Sequence, residues 1–474
     1  MTIGSIDVTA VLKELEETLK NDKDISPSLH ALIKTLMLVV HLMAGRLNLS
    51  SRNSSKPPSS DPNREKNPKK EGVRKPGGQK GHIGKTLEKV DNPDKIEVIK
   101  VDQAKLPKGN YKNIGFVARQ VFDIQFLRVV TEYRAEILED ENGTQHIADF
   151  PEDVTKAVQY GNSTKAHAVY MSQYQLIPYE RVIDYFKEQL EIPISTGSLF
   201  NFNKLAYDRL AEFEELTKQK LREAMVAHAD ETGAVVDKKK FWLHCFSDAR
   251  WTYLFIHNTR GTEAMNEADI LPKFKGILVH DHWKAYFTYA VTHALCNAHH
   301  LRELTFAFEE DGQQWAKKMH DLLLTINDDV DKAGGVLNSD EQQKYRDIYR
   351  DILKSAETEC PPPKEPENKK RGKIKRSKSR NLLERLVTFE NDILRFMTDS
   401  AVPFTNNLGE QDIRMTKVQQ KISGCFRSLE GAKIFCRLRS YLSTCRKQGR
   451  NLWDACYQVV IGQPFMPNIP VPDP

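Results

Sequence analysis

Three acidic residues in three different settings could carry phosphoryl chemistry. Asp230 lies within the run Met225–Val236, read as a strand that puts Val226, His228 and Thr232 on its own side. A carboxylate inside a strand is costly unless it is paired, exposed at a rim or bound to a cation. Asp281 closes the apolar run Ile277-Leu278-Val279-His280. Ligands of open α/β sheets gather at such strand ends, and Asp is equally favoured as the N-cap of a following helix. Glu410 follows Asn407 at the spacing of a capping box and heads a helical face continuing as Arg414, Lys417 and Lys421. An acid heading a cationic stripe suits a metal carboxylate beside a phosphate backbone; a solvated helix face explains the same pattern. Their order along the chain is more specific than any one of them. Carboxylates on a meander strand, at a later strand end and on a late helix could hold two Mg²⁺ or Mn²⁺ ions about 3.5–4 Å apart. Without metal, such acids repel one another and raise each other's pKa.

Cys296 and His299 form a Cys-x-x-His pair followed at once by His300. As a zinc site the pair lacks two more ligands at a sensible spacing, and a buried Cys with a His on the next helical turn is the plain reading. His280 and His282 flank Asp281, and strand alternation sends both to the opposite face. Trp283 and Tyr286 follow Asp281 and read as core, with base stacking as the alternative. Basic residues are concentrated: Arg46–Lys85 holds eleven Lys and Arg against three acids, and Lys364–Arg380 nine against two. Within the first run Arg52, Lys56, Arg64, Lys66, Lys69 and Lys70 suit phosphate contacts that read no sequence. A solvated linker has the same composition.

The elements that must position these groups follow from periodicity. The chain has 474 residues, 39% hydrophobic and 28% charged, a globular balance with length for about three domains. Its seven cysteines all lie at or after Cys245 without a paired framework, which points to a reducing, cytoplasmic setting. The longest apolar run, residues 31–45, contains Lys34 and His41 and is too short to span a bilayer; no secretory pattern opens the chain, and no membrane role is expected.

Residues 1–48 read as helical. Leu29, Ile33, Leu36, Val40, Met43 and Leu47 alternate four and three apart, as in a dimeric coiled coil or a helix packed on its own core. Residues 49–90 read as a basic flexible arm too poor in apolar residues to fold by burial. Residues 91–160 alternate apolar and polar positions and read as a small β-rich module. Residues 161–220 read as helical, with the helix, Ile192-Pro193 break and Ser195 cap of a possible helix-turn-helix. From residue 221 three strands joined by short charged turns precede strand–helix alternation, the order of a mixed-sheet α/β core. That core is assigned residues 221–300 and 398–427. Residues 301–397 read as helical with a basic linker at 361–380, and 428–474 as helices and a tail.

Several ordered motifs together resemble bacterial transposases of the insertion-sequence 66 family. SSKPPSSDP (54–62) and GGQKGHIGKTL (77–87) are similar to that family's N-terminal signature. RQVFDI (119–124) and QYG (159–161) are similar to the borders of its second module. HADET (228–232), ILVHDHWKAY (277–286), CNAHHLREL (296–304) and NNLGEQDIR (406–414) are similar to its catalytic blocks. The resemblance implies a multidomain α+β protein with a ribonuclease H-like core, a helical insertion between the second Asp and the Glu, and Asp230, Asp281 and Glu410 as the triad. It implies metal-dependent cleavage of element ends and strand transfer into target DNA, with Mg²⁺ or Mn²⁺, two ions per site. Implied partners are double-stranded DNA, a second copy of the chain and element-encoded accessory proteins, at the bacterial nucleoid. Relatives carry a Cys-x-x-His after the second Asp, close to the active site, which implies that Cys296 and His299 stand beside the ligands or that His299 contacts DNA. The second module of relatives usually carries cysteine pairs; with no cysteine before Cys245, a structural zinc is not expected there. A structure-selective nuclease on the same core and a domesticated DNA-binding protein without catalysis are the competing classes.

Overall fold

The computed structural model describes residues 2–3, 6–21, 25–47, 49–50, 52–54, 87–363 and 376–467. Two short strands, Thr2–Ile3 (β1) and Ile6–Asp7 (β2), precede helices Val8–Asn21 (α1) and Pro27–Leu47 (α2), the second opened by Ser26 with Pro27 at its first position. The period-two pattern over 96–138 is not taken up by a sheet. Between residues 87 and 160 the strands are Ile137–Glu139 (β3) and Gln145–Ile147 (β4), paired as a hairpin. The reason is visible in exposure: Ile99, Phe116 and Val117 are more than 90% exposed, so the alternation has no core to bury against.

Four helices then enter the main core: Asn162–Val169 (α3), Tyr179–Leu190 (α4), Thr196–Arg209 (α5) and Ala211–Glu223 (α6). Ser195 caps α5 by accepting the Ser198 amide at 3.1 Å, and Leu199, Phe202 and Ala206 of α5 are buried in the main core.

Strand β5 (Val226–Val236) and β6 (Lys239–Ser247) meet through Asp237 and Lys238, both at positive φ, as a two-residue hairpin turn requires. Strand β7 (Thr252–His257) completes the meander. Helix α7 (Thr262–Ala268) leads to β8 (Ile277–His280), and β9 (Thr292–Leu295) follows. The sheet order is β7-β6-β5-β8-β9: the first three antiparallel, β8 and β9 parallel to β5. Gly276 lets β8 begin against β5, because a Cβ there would lie 2.5 Å from the carbonyl oxygens of Ala224 and Met225.

Between β9 and the last sheet-covering helices runs a helical layer: Asn297–Glu309 (α8), Gln314–Lys332 (α9), Ser339–Glu359 (α10), Lys378–Thr388 (α11) and Glu390–Ile393 (α12). It has its own apolar core around Trp315, Met319, Tyr349 and Leu383, which also takes in Val279 and Leu295 of the sheet. Then come Asn407–Ser423 (α13), Leu429–Lys447 (α14) and Leu452–Val460 (α15). One sheet face, through Leu243, Cys245, Leu254 and Ile256, packs on Ile413, Phe426 and Phe435 from the α13–α14 region. The protein is thus a mixed-sheet α/β core with extensive helix. Among the described residues, no helix is long and apolar enough to cross a membrane.

Candidate active site

The sheet brings two of the predicted acids level. Val226, Ala227 and His228 of β5 pair with Ile277, Leu278 and Val279 of β8. The same register carried two residues on sets Asp281 beside Asp230. Asp281 leaves the sheet as β8 ends, and its Oδ1 accepts the Trp283 amide at 2.9 Å. It therefore closes a tight turn before the single helical turn Lys284–Thr288, instead of capping a long helix. The third acid arrives with α13, whose first turn contains Glu410.

The anchor that places α13 is Asn406, which sequence reasoning passed over in favour of Asn407. Asn406 is the N-cap position but makes no side-chain cap bond. Its buried side chain joins the strand instead: Nδ2 donates to the Ala229 carbonyl at 2.8 Å, and Oδ1 lies 2.7 Å from His228 Nδ1. Gly409 leaves the space for it, since a Cβ there would meet Asn406 Oδ1 at 3.1 Å. The capping box read from Asn407 and Glu410 does not form. The only sequence trace of this anchor was the paired asparagine ahead of Glu410. Beyond its C-terminal end, α13 is fixed again where Phe426 bridges Val235 and Asp237.

Charge accumulates here. Burial, then Glu231, Asp281 and, more weakly, Glu410 push the half-buried Asp230 carboxyl up to about 8, against one lowering hydrogen bond from the Glu231 amide. Glu231, next in the strand, points to the other face and was missed as a functional residue. Burial and Asp281 raise its carboxyl, opposed by Tyr286 and Arg260. Arg260 holds Glu231 Oε1 through Nε at 2.8 Å and Nη2 at 2.6 Å, and the Tyr286 hydroxyl donates to its other oxygen. The guanidinium carbon lies 3.7 Å from the Trp283 ring centre and 4.9 Å from that of Trp242. Two consecutive acids in a strand must face opposite sides, so the second needed a partner; that was the available signal. Tyr286 is buried, which favours its reading as core.

Cys296 precedes α8 as its N-cap, and His299 lies in the first turn. Cys296 is buried, its thiol pushed up by burial, and Sγ accepts the Asn406 amide at 3.1 Å. Burial, with Arg302, lowers the His299 imidazole against the raising influence of Asp281 and Glu410. Arg302 approaches Glu410 at 3.7 Å. The rings of His280 and His282 pack among Tyr286, Phe287 and Phe389.

Arg414, Lys417 and Lys421 are exposed on α13. Lys417 donates to the Gly233 carbonyl at 2.9 Å. Arg52 lies 3.5 Å from Glu309. Lys56, Arg64, Lys66, Lys69 and Lys70 lie outside the described residues. A cavity of about 730 Å³ runs beside His299 and Arg302, lined also by Lys378 and Arg385 and by Asn53 and Ser54 of the arm.

A donor set of clustered carboxylates with one strongly raised pKa fits hard divalent cations, which would offset the accumulated charge. The pattern that defines the transposase IS66 family matches residues 157–434, spanning all three acids. The chain belongs to that family. Membership makes it a DNA-processing enzyme and a DNA-binding protein, and DDE-type transposases usually use divalent metal. Residues 8–88 match a further family of unknown function (DUF6444), which covers α1, α2 and the arm ahead of the IS66 transposase region. No curated protein matches the chain.

Proposed function

We propose that this IS66-family chain is a metal-dependent transposase that cuts the ends of its element and joins them to target DNA, with Asp230, Asp281 and Glu410 as its catalytic acids. The observation that carries the reading is the convergence of acids from β5, the end of β8 and α13 near the middle of the sheet, close enough to raise the Asp230 carboxyl. The strand order, a three-strand antiparallel meander with two parallel strands added beside β5, supports a ribonuclease H-like core. Two Mg²⁺ or Mn²⁺ ions held by these acids would supply nucleophile activation and stabilisation of the leaving oxygen. Asp230 and Asp281 are held by strand register and by the Trp283 amide, so their orientation is set before DNA arrives. In the first step water displaces the strand's 3′-oxygen at a phosphodiester, leaving a 3′-hydroxyl. That hydroxyl then attacks a target phosphodiester in line, forming one P–O bond as another breaks.

DNA would be held by Arg414, Lys417 and Lys421 on α13 and by the arm, whose Asn53 and Ser54 line the cavity beside His299. The helices α4 and α5 are proposed as a helix-turn-helix contact to the element end, and residues 91–160 as a zinc-less module between arm and core. Dimerisation through α2 would pair two ends, since Leu29, Leu36 and Met43 of its heptad pattern are exposed. Accessory proteins of the element and a place at the nucleoid complete the reading.

The deciding assay is cleavage of a fragment carrying the element's own ends, with Mg²⁺ or Mn²⁺. Asp230→Asn, Asp281→Asn and Glu410→Gln should each lower cleavage by at least about a hundredfold, the cost of losing several kcal/mol of charge stabilisation. DNA binding should persist in all three. Cleavage retained in any one of them removes that acid from the triad, and cleavage without joining assigns the chain to nucleases.

A further inference from the structure

The starts of two helices meet beside the acids. Cys296 precedes α8, His299 lies one turn in, and Glu410 occupies the first turn of α13. One ligand atom from each, Sγ, an imidazole nitrogen and a carboxylate oxygen, all lie within 4.8 Å of one another. Asp230 and Asp281 do not belong to this group. We propose that Cys296, His299 and Glu410 form a binding site for a borderline or soft divalent cation of the Zn²⁺ class, and that Glu410 is shared between it and the hard-ion chemistry of the acids. The sharing rests on the transposase reading above; the binding does not.

The donor set argues for the class of ion. Thiolate and imidazole select Zn²⁺, Co²⁺ or Cd²⁺, whereas Mg²⁺ is held by oxygen ligands. A Cys-x-x-His pair across a helix start supplies half of a tetrahedral set, and sequence spacing could not reveal the third ligand because it comes from a distant helix. Three protein ligands with a fourth position open to water is a common arrangement for such ions. His299 Nδ1 is buried without a hydrogen-bond partner, the kind of orphaned ring nitrogen that an ion satisfies. Both acidic ligands sit at helix N-termini, where the backbone partial charge favours thiolate and carboxylate. The Asn406 amide already donates to Cys296 Sγ, and the Asn406 side chain is fixed to β5, so the ligand is oriented in advance. Binding exchanges the thiol proton for the ion and releases that proton to solvent.

If Glu410 is drawn to this site, it is withdrawn from Asp230 and Asp281, and a thiophilic ion inhibits Mg²⁺-supported cleavage. The test uses the full chain titrated with Co²⁺, followed by its thiolate-to-metal charge-transfer absorption. One equivalent should produce the band, excess Mg²⁺ should leave it, and Zn²⁺ should bleach it. Cys296→Ser should abolish the band, and His299→Ala should weaken Co²⁺ binding by at least about tenfold. Circular dichroism confirms that both variants remain folded. A band that survives in Cys296→Ser places the ion at another cysteine and overturns the site, as does the absence of any band in the wild type. In the second arm, cleavage with micromolar Zn²⁺ is expressed as a ratio to each protein's own Mg²⁺ rate. The ratio should fall in the wild type and not in Cys296→Ser; an unchanged wild-type ratio overturns the sharing of Glu410. Wild-type protein that does not cleave with Mg²⁺ counts against the transposase reading, and the Co²⁺ band still decides this inference.

Discussion

At the scale of single residues, Asp230 makes a prediction that needs no DNA. Its folded carboxyl is pushed up to about 8, above the ordinary 3.8, chiefly by burial and by neighbouring acids. An acid whose folded pKa is raised binds its proton more tightly when folded. Its contribution to stability is full below about 3.8 and is lost as pH rises through about 8. The melting temperature of metal-free protein should therefore fall as pH rises across that window, and Asp230→Asn should flatten the fall. Mg²⁺ should restore stability mainly at the alkaline end, where the carboxylate is free to bind it. Equal slopes for both proteins in chelator, measured by thermal melts, would contradict the charge cluster. Asp230 and Asp281 were legible in the sequence because an acid in or at the end of an apolar strand is conspicuous, and Glu410 because it heads a cationic helix face; it is the family resemblance that joins the three. Asn406, Arg260 and Glu231 were not, because their roles depend on partners far away in the chain: Asn406 on Ala229, and Arg260 on Glu231 and Trp283.

At the scale of elements, the question is what holds α13 against β5. Near its start the Asn406 side chain bonds Ala229 and His228, and beyond its end Phe426 bridges to Val235 and Asp237. The helix is also fastened outward, where Lys447 of α14 pairs with the half-buried Asp412 at 2.6 Å. Asn406→Ala leaves the Ala229 carbonyl and a buried histidine nitrogen without their partner. The cost should be about 1–3 kcal/mol in urea unfolding. Cleavage should fall further than that loss of stability explains, since Glu410 loses its register with Asp230. Gly409→Ala, which presses on the same side chain, offers an independent check in the same direction. A variant destabilised as expected but cutting at the wild-type rate would show that α13 needs no such anchor. The meander and the two added strands were readable because their apolar alternation faces real cores. The same alternation over 96–138 misled, because period two signals a strand only where one face can be buried.

At the scale of the whole molecule, three apolar cores share the sheet. One gathers α3 to α6, α14 and α15; a second gathers the helices between β9 and α13; the third packs β5, β6 and β7 on α13 and the start of α14. Leu278 belongs to the first core and its neighbour Val279 to the second, so these two cores lie on opposite faces of the sheet, and the acids stand near its middle, where β8 ends beside β5. The arm reaches this same region: Asn53 and Ser54 line the cavity shared with His299 and Arg302, and Arg52 meets Glu309 at the end of α8. The basic residues that follow Ser54 in the sequence are the ones whose phosphate contacts can be tested. Each phosphate contact made by a cation releases counterions, and the logarithm of the binding constant falls with that of salt by about 0.9 per contact. Replacing Lys56, Arg64, Lys66, Lys69 and Lys70 together by glutamine should lower that slope by roughly 4–5 if all five touch phosphate. Because phosphate contacts carry no sequence information, affinity for element ends and for unrelated duplex should drop by similar factors. Fluorescence anisotropy over a salt series measures both. A slope unchanged by the five substitutions would mean that the arm does not track the backbone. The stripe Arg414, Lys417 and Lys421 on α13 would then carry the electrostatic binding, and the arm's charge would serve solubility alone.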